Sequence, residues 1–222
     1  MTSFSIVTQT HDRNDLLSRV LPSWLRLPAY EIVIIDHPGR ESALSVVESC
    51  SDRRIRHLTA RYDGEYNVSV MKNAAFGAAR RRVVLYFDAD IEVTPHFTVP
   101  NIDPDLPEAP FYQGRFAGVP APGNNFLFDP AYGCIMLTRP QFNAVNGYDE
   151  RMTGWGYEDT DFFRRLAVKY PRVCMPRGLS HWHHPKSMSL PDNGGANMDI
   201  SHEKYWGPSD TRKEVNYETP SA

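Results

Sequence analysis

Residues 83–90, VVLYFDAD, place five apolar residues ahead of two carboxylates separated by one alanine. The apolar run reads as a buried strand, too short for a helix and rich in β-branched and aromatic residues. Strand side chains alternate, so over 83–90 Asp88 and Asp90 project to one face and Ala89 to the other. Two like charges so close repel unless a cation lies between them. Hard oxygen ligands at this spacing suit Mg2+ or Mn2+ carried in with a diphosphate.

Working outward, further strand-like runs cover 4–10, 31–36 and 55–59. Helix-like segments separate them. Residues 12–27 carry apolar side chains at 16, 17, 20, 21, 24 and 25, a helical stripe with Pro22 as a kink. Residues 41–49 form a shorter helix, and the alanine-rich 66–81 a third. Strands alternating with helices specify an α/β fold with a mostly parallel sheet. Ligands bind such sheets beyond the C-terminal strand ends, where 8–13, Asp36–His37 and Asp88–Asp90 all fall. The basic run Arg80-Arg81-Arg82 reads as a helix C-terminus complementing its dipole.

Beyond Asp90 the style changes. Residues 94–130 are rich in Pro, Gly and Asn and read as loop, with strands resuming at 111–116 and 133–138. Helices are expected near Pro140 and over 158–170. Residues 186–222 are polar and read as a mobile or ligand-ordered tail.

The chain has 222 residues, 41% hydrophobic and 23% charged, which suits one globular domain with a sizeable core. A net charge of −3 advertises neither nucleic acid nor an anionic membrane as partner. Cys50, Cys134 and Cys174 are widely separated and read as thiols of a reducing compartment. The N-terminus shows no secretory signal, and no apolar run reaches the roughly 20 residues of a membrane span. The expectation is a cytoplasmic protein, with peripheral membrane contact left open.

Three further segments carry chemistry. In GWGYEDTDFFRRL (154–166), the stripe Phe162, Phe163, Leu166, Ala167, Tyr170 faces the core, and four residues back from its first two members stand Glu158 and Asp159. Both acids therefore face inward at the helix start, while Thr160 and Asp161 turn elsewhere. A carboxylate in a cleft suits a general base, and Trp155 after the flexible Gly154 suits stacking on a sugar ring. HWHHP (181–185) offers three histidines, of which one can join Asp90 around a cation; imidazole tilts the metal towards Mn2+. TQTHDR (8–13) with Asp36 offers polar groups to a nucleobase. The chain has no GxGxxG after the first strand, no Walker-type loop and no GxSxG.

Together these residues resemble the GT-A glycosyltransferases, most closely the inverting family 2 group, over residues 3–185. FSIVTQTHDR (4–13) resembles the opening strand and nucleotide loop, EIVIID (31–36) the second strand, and VMKNAAFGAA (70–79) the helix with a basic residue and Asn. VLYFDAD (84–90) resembles the DxD strand. NGYDERMTGWGYED (146–159) is similar to an acceptor-side segment also seen in galactosyltransferase-like regions.

The resemblance implies a single GT-A (Rossmann-like) domain over 1–185, with a mixed, mostly parallel central sheet. Residues 1–93 would be its nucleotide-binding half and 94–185 its acceptor-binding half, with 186–222 a flexible tail or lid. It implies a metal-dependent inverting transfer from a nucleotide-diphosphate sugar, first a UDP-sugar, to a hydroxyl acceptor such as a glycan. Thr8, Gln9, Thr10, Arg13 and Asp36 would line the nucleotide pocket, and Lys72, Asn73 and Asp88 the diphosphate or donor sugar. Asp90 and His181 would bind Mn2+ or Mg2+, with Asp88, His183 and His184 as rivals. Asp159 would be the base, and Glu158, Trp155 and Gly154 would hold the acceptor sugar. Where many members have a second acid after the position of Asp36, this chain has His37. A nucleotidyltransferase acting on sugar phosphates and a non-catalytic carbohydrate-binding protein are the competing readings.

Overall fold

The computed structural model describes residues 2–37, 39–116, 131–182, 191–203 and 213–219. The first half alternates β1 (Phe4–Thr10), α1 (Asn14–Trp24), β2 (Glu31–Asp36), α2 (Leu44–Cys50), β3 (Ile55–Arg61), α3 (Val68–Ala78) and β4 (Val83–Phe87). After these come β5 (Ile91–Val93), β6 (Phe111–Gly114), β7 (Ala131–Thr138), α4 (Arg139–Ala144) and α5 (Glu158–Lys169). Then follow β8 (Arg172–Cys174), β9 (Leu179–His181), α6 (Gly194–Glu203) and β10 (Asn216–Glu218).

Eight strands form one sheet in the order β10-β3-β2-β1-β4-β7-β6-β8. The block β3-β2-β1-β4 is parallel, while β7 runs antiparallel to β4 and to β6. The mixed, mostly parallel α/β sheet expected from the sequence is therefore present. Helices cover both faces, which is why the strands read as unbroken apolar runs. Ile6, Ile34 and Leu85 pack with Leu17 and Trp24 of α1 on one face. Val7, Val33, Ile35, Val84 and Tyr86 pack with Met71 and Phe76 of α3 and Phe162 and Phe163 of α5 on the other. Burying one such side chain contributes about 1.5–3 kcal/mol, and a one-residue slip would move each to the opposite face, so register is fixed. It sets Thr10 beside Asp36, and Asp36 beside Thr59, at the same edge.

Two local expectations are corrected. The strand over 83–90 stops at Phe87. The Asp88 amide donates to the Gly133 carbonyl (2.8 Å), and the Ile91 amide donates back to the Asp88 carbonyl (3.0 Å), closing a turn. Asp88 and Asp90 are therefore turn residues, not neighbours on a strand face. Arg80, Arg81 and Arg82 do not end a helix: α3 stops at Ala78, and the amides of Arg80 and Arg81 donate to Glu31 Oε1 and Ser5 Oγ. The polar segment from 186, expected as a mobile or ligand-ordered tail, contains secondary structure among its described residues. Helix α6 packs on α5, and β10 pairs with β3 at the sheet edge. No described helix is long and apolar enough to cross a membrane.

Candidate active site

At the tips of β1, β2 and β3 the expected polar groups divide between structural and open roles. Asp36 is buried. Its Oδ2 accepts from Ser42 Oγ (2.8 Å), the Ala43 amide (2.9 Å) and His57 Nε2 (3.2 Å), which anchors the start of α2. Its Oδ1 is buried without a hydrogen-bond partner among the described residues, as is Thr10 Oγ1. Thr8 lies wholly buried inside the sheet. Gln9 Oε1 accepts from the Tyr66 hydroxyl (2.5 Å). Arg13 stands half-buried immediately before α1, and its carbonyl accepts the Leu17 amide (2.9 Å). Asp12, held at φ 51°, accepts the amides of Arg40 (2.7 Å) and Glu41 (3.1 Å) and so ties the loop after β1 to the loop after β2.

Sequence reading missed a cluster of rings at this edge. His11 stacks on Tyr66 with centroids 4.3 Å apart, and His37 lies 5.2 Å from His11, 5.4 Å from Tyr62 and 5.4 Å from Tyr66. His11 Nδ1 lies 3.0 Å from the His37 carbonyl, which only accepts, so that nitrogen carries the proton. Burial, reinforced by the neighbouring His11, pulls the His37 imidazole below its usual range, with Asp36 and Asp12 opposing. Tyr62 and Tyr66 follow the tip of β3 as the other ligand-edge residues follow β1 and β2; that position was the available signal.

The turn after β4 faces the second, two-stranded sheet. Antiparallel pairing of β5 with β9 sets Ile91 opposite His181, and the Trp182 amide donates to the Asp90 carbonyl (2.9 Å). This brings His181 Nε2 to 3.4 Å from Asp90 Oδ2. A carboxylate oxygen and an imidazole nitrogen converging from two strands fit a Mn2+-type donor set. They are a pair only: among the described residues no group of three or more His, Cys, Asp and Glu is arranged to hold a metal ion. His183 and His184 lie outside the described residues.

Asp88 looks the other way. Its Oδ1 accepts from the Tyr86 hydroxyl (2.6 Å) and lies 3.9 Å from Lys72 Nζ. Gly133 of β7 makes this possible, because a Cβ there would collide with the Asp88 carboxylate.

Lys72 is the centre of the site. It lies on the second turn of α3, and its side chain is 2% exposed. Its ammonium donates to Asp159 Oδ1 (2.7 Å) and Glu158 Oε1 (3.3 Å) and sits over the rings of Tyr86 (5.5 Å) and Tyr148 (5.1 Å). Burial alone would pull this ammonium down; Asp159, Asp88 and Glu158 outweigh it and hold it well above its usual range. Burial pushes the Asp159 carboxyl up. Lys72 opposes and the neighbouring acids Glu158 and Asp88 assist, leaving it at about 7. Burial likewise raises Asp88, against the pull of Lys72 and with the push of Asp90.

The two acids at the start of α5 differ. Glu158 uses both oxygens, with Oε2 accepting the Gly156 amide (3.2 Å). Asp159 is anchored through Oδ1 alone, and its Oδ2 has no hydrogen-bond partner among the described residues. The chain reaches α5 through three residues in left-handed conformations, Gly154 (φ 67°), Gly156 (φ 110°) and Tyr157 (φ 73°). Between them Trp155 is 49% exposed, its amide donating to the Pro191 carbonyl (2.9 Å) and its carbonyl accepting the Asn193 amide (3.0 Å).

Two neighbouring side chains are committed to structural contacts. Asp161, expected to turn elsewhere than Glu158 and Asp159, is buried between Arg165, which donates from Nε (2.8 Å), and Ser201 of α6 (2.8 Å). Asn73 spends its side chain on the 148–150 loop, donating to the Tyr148 carbonyl (2.9 Å) and Glu150 Oε1 (2.7 Å) and accepting the Tyr148 amide (2.8 Å).

Comparison with known proteins agrees with this architecture. A glycosyl transferase family 2 model matches residues 5–103, and a model described as the N-terminal domain of galactosyltransferase matches 126–187. Mouse beta-1,4-galactosyltransferase 1 is 38% identical over 47 residues, which is 21% of this chain and 12% of that protein. The catalytic domain of Drosophila beta-1,4-galactosyltransferase 7, solved with xylobiose, superposes with a TM-score of 0.59 at 14% identity, covering 100% of this chain and 96% of that one. A mutant of the same enzyme, solved with manganese, UDP-Gal and xylobiose, gives 0.56. The mannosyltransferase PcManGT of Pyrobaculum calidifontis, solved with GDP-Man and Mn2+, gives 0.57 at 14% identity over 78% of this chain and 54% of that one. The fold is GT-A. Residues 5–103 are similar to glycosyl transferase family 2 and residues 126–187, around the Gly-Trp-Gly segment, to galactosyltransferase, each match covering less than half of the chain.

Proposed function

We propose that this chain moves a sugar from a nucleoside-diphosphate sugar, first a UDP-sugar, to a hydroxyl of a glycan acceptor with inversion at the anomeric carbon. The observation that carries this reading is one buried ammonium, Lys72, within 4 Å of both an acid of the DAD turn and the two acids that open α5. That contact brings a donor edge and an acceptor edge to one point.

Asp90 and His181 would hold the divalent cation, and a cation there supplies Lewis-acid neutralisation of the departing diphosphate. The rings of His11, His37, Tyr62 and Tyr66 form the wall against which a base would lie, with Gln9, Thr10 and Arg13 beside it. Trp155 displays a flat apolar surface for the acceptor sugar. Asp159 accepts the proton of the acceptor hydroxyl on Oδ2 as that oxygen attacks the anomeric carbon from the face opposite the leaving group. Glu158 has both oxygens engaged and acts by holding the Gly156 turn. Residues 191–203, packed against Trp155 and α5, would form the covering part of a 186–222 lid over a 1–185 domain. Protection of that segment from proteolysis by UDP and Mn2+ tests the lid; unchanged nicking rejects it.

A panel of UDP-, GDP- and dTDP-sugars, scored for hydrolysis and transfer with Mn2+ and after EDTA, tests the reaction. Transfer from a UDP-sugar that is lost on chelation is expected. Metal-independent sugar binding without nucleotide affinity would instead favour a carbohydrate-binding module.

A further inference from the structure

We infer that Lys72 is the positioning residue of the proposed base and not a nucleotide ligand; this rests on the assignment of Asp159 above. A nucleotide contact would need an ammonium open to the donor side. Lys72 is instead enclosed, with its shortest contact, 2.7 Å, to Asp159 Oδ1, and its distance to the donor-side acid Asp88 is 3.9 Å. Two tyrosine rings close the remaining sides. Two of the three ammonium protons are donated to Asp159 and Glu158, and the ammonium faces Asp88 at 3.9 Å, so its hydrogen bonds are spent on the acids of α5 and not on the donor side.

The geometry of Asp159 shows what the contact accomplishes. A carboxylate on one helical turn rotates about χ2 with little preference. Fixing Oδ1 by a charge-assisted bond from a buried lysine removes that freedom and leaves Oδ2 aimed by default. Glu158, bonded through both oxygens, adds a second strut. The bond spans 87 residues of sequence and joins α3 of the donor half to α5 of the acceptor half. Lys72 thereby sets where the acceptor oxygen must lie relative to the donor-binding turn. A misplacement of about 1 Å in such a group can cost on the order of 100-fold in rate.

The test uses the full chain with Lys72→Met and Lys72→Arg. UDP binding with Mn2+ is measured by calorimetry, turnover is measured on the UDP-sugar hydrolysed fastest, and the Lys72→Met crystal structure is solved with UDP. The expected result is a kcat lowered at least 100-fold in Lys72→Met with the UDP Kd within threefold, and Asp159 displaced from its present place. Lys72→Arg, which keeps the charge at greater length, should recover part of kcat with unchanged UDP affinity. Should Lys72→Met not fold, Lys72→Arg alone decides, with kcat at least 10-fold down at constant Kd. A UDP Kd raised 30-fold or more, or a kcat within threefold of the parent, overturns the inference. Asp159→Asn separates the two ideas: full turnover there removes the base assignment itself, whatever Lys72 does.

Discussion

The two sides of the cleft are built by different means. The proposed donor side stands on the tips of parallel strands whose register is set by buried Ile and Val side chains, so Thr10 and Asp36 are fixed by the core beneath them. The proposed acceptor side stands on a helix entered through three left-handed residues and held by long-range polar contacts: Lys72 to Asp159, Ser201 to Asp161, Pro191 and Asn193 to Trp155. Hydrophobic register makes the first side rigid by default. The second must be rigidified bond by bond, so single polar substitutions should act far more strongly there.

The largest effect tests this directly. Replacing Asp159 by Asn should lower transfer about 1,000-fold, within the range for losing a general base, and leave UDP affinity within threefold. Steady-state rates beside calorimetry decide it; equal losses in both would merge the two sides.

Acidity gives the next effect. With Asp159 at about 7 in the metal-free protein, its basic form falls about tenfold per pH unit below that value, and kcat/KM should fall with it. The stability consequence has the opposite sense. Because the folded value lies above the ordinary 3.8, the folded chain retains a proton that the unfolded chain has released. This contribution is fully present below pH 3.8 and is lost as pH rises through about 7. In EDTA, melting temperatures of the parent should therefore lose ground to those of Asp159→Asn between pH 4 and 8.

Gly133→Ala probes the donor side where it lacks hydrophobic redundancy. The new methyl must push Asp88 out of its place, at about 1–3 kcal/mol in stability and with weaker UDP–Mn2+ binding. Preserved donor affinity would show that Asp88 serves only Lys72 and Tyr86. Ser201→Ala should cost about 1 kcal/mol by leaving Asp161 short of a partner under α6. The smallest effect on stability belongs to Trp155→Ala, within about 0.5 kcal/mol for an exposed side chain, while acceptor KM rises.

The same contrast explains what could be read from the sequence. Strands and helices of the first ninety residues were legible because burial writes itself as apolar runs, and Asp159 because it lies one turn before the Phe162–Phe163 stripe. The pairing of Asp90 with His181 was legible as chemistry, but its cause, the β5–β9 ladder, was not: strands that short carry no pattern. The burial of Asp161 was not legible because the surface that covers it, α6, begins more than thirty residues later and has little amphipathic signature. Lys72 was found as a basic residue on the right helix, but its partners are fixed by tertiary packing that no local period reports.

The strand β10 has a consequence for how the chain is made. It pairs antiparallel with β3, and Tyr217 of that strand donates to the Ala74 carbonyl of α3 (3.1 Å). Until residues 216–218 have been synthesised, the outer margin of the nascent sheet stays open, with its amides and carbonyls free to recruit another chain. Closure of this sheet margin therefore waits for residues 216–218, and shortened products lacking that strand should be captured by chaperones or should aggregate.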